Sequence, residues 1–124
     1  MKLLLDTHVI LWWQVDDRRL KARARNAIAT ADLVWVSAAS GWEVSIKQAL
    51  GRLRIDEPFQ LLVRTNEFTE LPVTLEHTDR LAALEPHHTD PFDRLLVAQA
   101  QAEKATLVTH DRAFEPYGLP VIWT

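Results

Sequence analysis

Five short apolar runs punctuate this chain: residues 2–5, 33–36, 71–73, 106–108 and 119–123. Each is too short for a helix, and each is separated from the next by a longer stretch with helical spacing or caps. The run at 33–36 is uniformly apolar, where a half-exposed strand would alternate, so it reads as a strand covered on both faces, as in a parallel sheet between helical layers. Parallel neighbours need crossover helices, and the intervening segments supply them. A short helix is expected over 8–13, and a second over 17–30 capped by Asp16 and Asp17. A third covers 38–50, with Ser37 as its cap and Gly51 as its stop. A fourth starts at Glu57-Pro58 and runs to 68. A fifth covers 74–84, with Leu75, Leu81 and Leu84 facing inward. A sixth opens at Pro91 with a stripe of Leu95, Leu96, Ala98 and Ala102, and a turn of helix covers 111–115. The pattern specifies an α/β fold, a three-layer α/β/α sandwich around a central, mostly parallel sheet.

With 48% hydrophobic residues in 124, the chain can bury one core, and no linker, repeat or low-complexity segment divides it, so residues 1–124 are expected to form a single domain. No stretch reaches the ~18 continuous apolar residues of a membrane span. The leading leucines are too few for a signal peptide and lack a small-residue cleavage site. Cysteine is absent, which removes disulfides, thiolate metal sites and thiol nucleophiles and fits a cytoplasmic protein. A formal charge of -3 excludes indiscriminate coating of nucleic acid. The three glycines form no phosphate loop, and no Ser-His-Asp arrangement can be traced.

What stands out is where the acids fall. Asp6 follows Leu3-Leu4-Leu5, Glu43 lies early in the helix after the second strand, Asp90 and Asp93 open the helix before the fourth, and Asp111 follows that strand. All are strand-to-helix junctions or helix starts, which in an open α/β sheet gather at the ligand-binding edge. Taken one at a time, capping explains each of them: Asp is a favoured N-cap, and Ser40 with Glu43 has capping-box spacing. Asp90, directly before Pro91, reads mainly as a cap, which leaves Asp93 to point at the strand tips. Together the acids would repel one another without a cation among them. Carboxylates without an obligatory histidine suit Mg²⁺, with Mn²⁺ as the other choice. One or two such ions activate water for displacement at phosphorus, which is nuclease chemistry.

Thr7 and His8 are placed to support Asp6, and Arg94 to hold a carboxylate or a phosphate. His87 and His88 are adjacent, do not share a face, and read as a surface loop rather than as ligands. The basic string Arg18, Arg19, Lys21, Arg23, Arg25 reads by default as a solvated helix face, with phosphate tracking as the alternative. Trp12 and Trp13 cannot both point into one core, so one is assigned to an interface.

These segments resemble a known family. Leu-Leu-Leu-Asp-Thr-His-Val-Ile-Leu-Trp-Trp at 3–13 is similar to the opening of PIN-domain proteins, specifically VapC-type toxins of bacterial toxin–antitoxin pairs. Trp-Glu-Val-Ser-Ile-Lys at 42–47, His88-Thr89-Asp90-Pro91-Phe92-Asp93-Arg94-Leu95-Leu96 followed by Ala98-Gln99-Ala100, and Thr106-Leu107-Val108-Thr109-His110-Asp111 resemble the later motifs, in family order. The resemblance implies an α/β/α metal-dependent endoribonuclease acting on RNA, a homodimer whose two sites face one groove, and inhibition by a VapB-like antitoxin. Carried over by motif, Asp6, Glu43 and Asp93 form the acidic triad, with Asp6 and Asp93 on the metal and Asp111 as fourth acid. Asp93 is chosen over Asp90 because the Asp-x-x-x-x-Ala-x-Ala pattern starts there. Many relatives carry another acid where this chain has Ala113, which leaves Asp111 to complete the site alone. Two other classes remain as alternatives: an aspartyl-phosphate phosphotransferase with Asp6 as nucleophile, although His8 stands where a second Asp is usual, and a non-catalytic binding module.

Overall fold

A computed structural model describes all residues, 1–124. Five strands, β1 (Lys2–Leu5), β2 (Leu33–Ser37), β3 (Thr69–Leu71), β4 (Thr106–Thr109) and β5 (Val121–Trp123), form one sheet in the order β3-β2-β1-β4-β5. Every pairing is parallel, so the mostly parallel expectation holds in its strictest form. Six helices flank it: α1 (Thr7–Gln14), α2 (Ala22–Thr30), α3 (Ala38–Ala49), α4 (Phe59–Thr65), α5 (Leu75–Ala82) and α6 (Pro91–Glu103), with a 3-10 turn at Arg112–Tyr117.

The pleat of β1 explains the three layers. Leu3 and Leu5 enter one apolar cluster with Val9, Ile10, Ala24, Ile28, Leu62 and Phe68, drawn from α1, α2, α4 and the segment after α4. Leu4 points the other way, into a cluster with Leu96, Val97, Ala100, Leu107 and Phe114. A strand buried on both faces has no polar position to spare, which is why its sequence does not alternate.

Topology places the site. From β1 the chain winds outward through β2 to β3, then crosses back and winds the other way through β4 to β5. The order therefore reverses between β1 and β4, and the crevice at their carboxyl ends is where α/β folds of this kind bind ligands.

Several local expectations are displaced, each for a physical reason. The second helix starts at Ala22, not 17, because the Asp17 carboxylate accepts the Arg19 amide at 2.9 Å and closes a turn that competes with helix. Asp16 adopts a left-handed backbone (φ 54°) rather than capping. The third strand is Thr69–Leu71 instead of 71–73, since Pro72 has no N–H to pair. Leu75 is 81% exposed; the inward residue of α5 is His77, which is fully buried. Both tryptophans of α1 pack on the same cluster, Trp12 within it and Trp13 on its flank, where the Trp13 indole N–H donates to Asn66 at 3.1 Å. The exposed tryptophan is Trp42, at 61%.

Candidate active site

Asp6 is fixed by backbone on both sides. Its amide donates to the Val108 carbonyl at 3.0 Å, which ties the end of β1 to β4, and its own carbonyl accepts from Ile10 to start α1. Its side chain caps that helix by accepting from the His8 amide at 3.3 Å. The capping reading of Asp6 is therefore true and incomplete, because its other oxygen accepts the Thr109 hydroxyl at 2.6 Å, across the crevice. The same Thr109 oxygen accepts from the Asp111 amide at 3.0 Å, so one side chain positions both acids at the strand ends. Burial pushes the Asp6 carboxyl above the ordinary carboxylate range, and the Thr109 and His8 contacts oppose that shift.

Glu43 is buried one turn into α3. Ser37, not Ser40, caps that helix, accepting from the Ala39 amide at 3.0 Å, so the capping-box reading of Ser40 and Glu43 is corrected. The Glu43 carboxylate instead accepts the Thr7 hydroxyl at 2.7 Å and the Lys47 ammonium at 2.9 Å. Thr7 has one hydroxyl proton; with that given to Glu43, its 3.0 Å contact with Ser40 has Ser40 donating. Thr7 thus links the second acid to the first through its own backbone.

At the start of α6, Asp90 caps the helix by accepting from the Phe92 and Asp93 amides at 2.9 and 3.2 Å, the structural role expected of it. Asp93, one turn on, faces the strand tips. Burial pushes its carboxyl up to about 7; the charges of Asp90 and Asp6 add to this, and a hydrogen bond from His88 opposes it. That His88 bond joins Nε2 to Oδ2 at 2.8 Å. One Asp111 oxygen accepts from the Ala113 amide at 2.9 Å, so Asp111 is also a cap as well as an acid of the cluster.

The structure brings His88, Asp93 and Asp111 into one group, with a ligand atom from each within 4.8 Å of the others. Asp6 borders it through Thr109 and through its charge on Asp93. Glu43 is not part of that group and connects to Asp6 through Thr7, its neighbour in sequence. Reading His88 as a surface loop is overturned: its side chain is only 18% exposed and is turned inward on Asp93. Arg94 contacts no carboxylate. Its guanidinium donates to the Leu84, Glu85 and His88 carbonyls and to the Tyr117 hydroxyl, clamping the loop that carries His88. His8 stays half-exposed at the rim, 4.0 Å from Asp6, with its ring edge against His110 and near Trp12. Sequence reasoning missed Thr109, Lys47 and His88. The signal for Thr109 was a hydroxyl two residues before an acid at a strand end, and for Lys47 the i,i+4 spacing to Glu43. Of the basic string, Arg19 is paired with Asp17 and Arg25 with Asp16, while Arg18, Lys21 and Arg23 face solvent outside any ion pair.

The PIN-domain family model matches residues 3–118, nearly the whole chain. This chain belongs to the PIN-domain family. The PIN domain is 32% identical over 123 residues to Ribonuclease VapC22 of Mycobacterium tuberculosis, covering 95% of this chain and 93% of that one. Among solved structures it is similar to a chain of VapBC2 from Rickettsia felis bound to a promoter DNA fragment, with a TM-score of 0.73 at 16% identity over 98% of each chain. It also resembles FitAcB from Neisseria gonorrhoeae, with a TM-score of 0.66 at 19% identity over 97% of this chain and 96% of that one. At such identities those structures speak for the fold: a parallel five-stranded PIN-like sheet with helices on both faces.

Proposed function

We propose that this PIN domain is the toxin of a VapBC-type toxin–antitoxin pair, an endoribonuclease that hydrolyses RNA phosphodiester bonds with a divalent cation, Mg²⁺ or Mn²⁺. The observation that carries the reading is the acid cluster at the β1–β4 crevice, with Asp93 pushed up to about 7 by burial and by neighbouring acids. Such a site gathers negative charge, and the Lys47 ammonium beside it is already paired with Glu43. The donor set is chiefly hard carboxylate oxygen, which fits a hard divalent ion. The VapC relative, named a ribonuclease, points to the same chemistry.

On this reading Asp6 and Asp93 hold the ion. When bound, it supplies a water of lowered pKa and charge compensation at phosphorus. Asp6 enters with its carboxylate already aimed: Thr109 and the His8 amide fix its two oxygens, so little reorganisation is left for catalysis. Glu43, held by Thr7 and Lys47, orients the attacking water or joins the ligand set. Asp111 keeps one oxygen for the ion or the water while the other caps the 3-10 turn. Thr7, His8 and Asp90 act from behind these groups, and Arg94 acts by holding a loop. A cleft of about 700 Å³ opens from His8 past Trp12, where a base could stack; its two arginines, Arg19 and Arg54, are paired with Asp17 and Asp56 of the same lining.

The same reading makes the protein a cytoplasmic homodimer held inactive by a VapB-like antitoxin whose inserted arginine or lysine competes with the cation. The deciding experiment is cleavage of total RNA in Mg²⁺ or Mn²⁺ by the wild type and by Asp6→Ala, with RNA binding measured alongside. Loss of cleavage with retained binding is expected. Cleavage that survives the substitution sinks the assignment.

A further inference from the structure

We infer that His88 is a nitrogen ligand, beside Asp111, to the cation that Asp6 and Asp93 hold, and that it tunes the site toward Mn²⁺ over Mg²⁺. The inference rests on the metal-dependent reading above and adds to it a donor of a different chemical class.

Two ligand atoms bound at ~2.1 Å in adjacent octahedral positions stand about 3 Å apart, and two in opposite positions about 4.2 Å. His88 Nε2 and Asp93 Oδ2 are 2.8 Å apart, and the Asp111 carboxylate offers a third atom with all three inside 4.8 Å. The His88–Asp93 contact is a hydrogen bond in this structure whose length also matches two adjacent ligand positions, and with the Asp111 carboxylate close by, an ion would take the place of that bond's proton. His88 is also built into place. Arg94 donates to the carbonyl of His88 itself and to those of Leu84 and Glu85 before it, which fixes the backbone of the loop. The edge of the Phe114 ring packs against the imidazole at 6.2 Å between centroids, and Phe114 is fully buried. A histidine on an unconstrained surface loop would have none of this. Its neighbour His87 shows the contrast: it is exposed and turned away onto Tyr117.

Chemistry sets the consequence. Mg²⁺ takes oxygen and dehydrates reluctantly, whereas first-row transition ions accept imidazole nitrogen readily. One nitrogen among carboxylates therefore raises affinity for Mn²⁺ and does little for Mg²⁺.

The test is calorimetric titration of Mn²⁺ and Mg²⁺ into the full chain, with electron spin-echo spectroscopy of the Mn²⁺ complex. The wild type is expected to show nitrogen modulation from a bound imidazole. His88→Ala and His88→Gln should lose that modulation and about tenfold in Mn²⁺ affinity, with Mg²⁺ affinity little changed. His8→Ala and His110→Ala should keep it. A wild-type spectrum without nitrogen coupling, or coupling that persists in both His88 variants, overturns the assignment whether or not those variants fold well. Asp93→Asn separates the two levels. If it abolishes Mn²⁺ binding while the His88 variants bind as the wild type does, only the histidine assignment falls. If Asp93→Asn binds Mn²⁺ undiminished, the acidic site itself falls and the histidine with it.

Discussion

Replacing Asp93 by asparagine should stabilise the metal-free protein, and only above acidic pH. Asparagine keeps an oxygen for the His88 contact and removes the charge. In the native fold the Asp93 carboxyl is pushed up to about 7, against an ordinary value of 3.8, so the folded chain holds a proton that the unfolded chain releases. Where the native state binds the extra proton, stability falls as pH rises. Asp93 therefore costs nothing below about pH 4, its cost grows between pH 4 and 7, and it is complete above 7. At full weight the displacement corresponds to about 4 kcal/mol. The carboxyl retains some contact with solvent, 15% of its side chain, and screening there brings the figure nearer to about 2 kcal/mol. In a chain of this size that is a rise in Tm of roughly 8 °C. The assay is urea and thermal unfolding of wild type and Asp93→Asn from pH 4 to 8 in EDTA, followed by tryptophan fluorescence. The two proteins should coincide at pH 4 and separate progressively to pH 8, with the variant the more stable. Mn²⁺ should reverse the order, because an ion at a hundred times its Kd adds about 2.7 kcal/mol to the wild type and little to the variant. A constant difference across that pH range, or a variant less stable at pH 8 in EDTA, would refute the account of a proton-holding acid among acids.

Thr109→Val removes the donor to Asp6 at 2.6 Å and the acceptor of the Asp111 amide. It should cost about 1–3 kcal/mol in urea unfolding and lower RNA cleavage; an unchanged urea midpoint and rate would show that Thr109 positions neither acid. Gln99, fully buried on α6, accepts the Ser37 hydroxyl at 2.6 Å and reaches the Pro72 carbonyl and His77, joining β2, α6 and the segment after β3. Gln99→Leu should therefore destabilise by about 2 kcal/mol, since the Ser37 hydroxyl is left buried without its partner; a neutral result in urea unfolding would count against this network.

The strands and the acids were legible from residue order alone. A run such as Leu3-Leu4-Leu5 has no polar face, so it can only be a strand covered on both sides, and an acid directly after it must emerge at the strand's end. These are consequences of local periodicity, and they hold whatever the rest of the chain does. By the same logic Asp90 was separable from Asp93: one residue before Pro91 caps, and the residue one turn later faces the crevice.

Only the tertiary structure decided which of these groups meet. Sheet order is a global outcome of burying every strand twice, and it is this order that sets Asp6 beside β4 and lets Thr109, 103 residues away in sequence, hold its carboxylate. His88 shows the limit most plainly. Its neighbours in sequence say surface loop, and adjacent histidines say that both cannot ligate one ion. What turns one of them inward is a guanidinium from the following helix gripping the carbonyls of its loop, together with the buried ring of Phe114 behind it. The clamp comes from chain close by, but backbone carbonyls carry no mark in the sequence of the partner they will accept. Leu75 fails in the opposite direction: its spacing places it on the apolar stripe of α5, yet it is the buried His77, bonded to Thr74, Gln99 and Glu103, that fills the space against α6. Periodicity fixes which residues share a face, and packing against a particular neighbour fixes which face is buried.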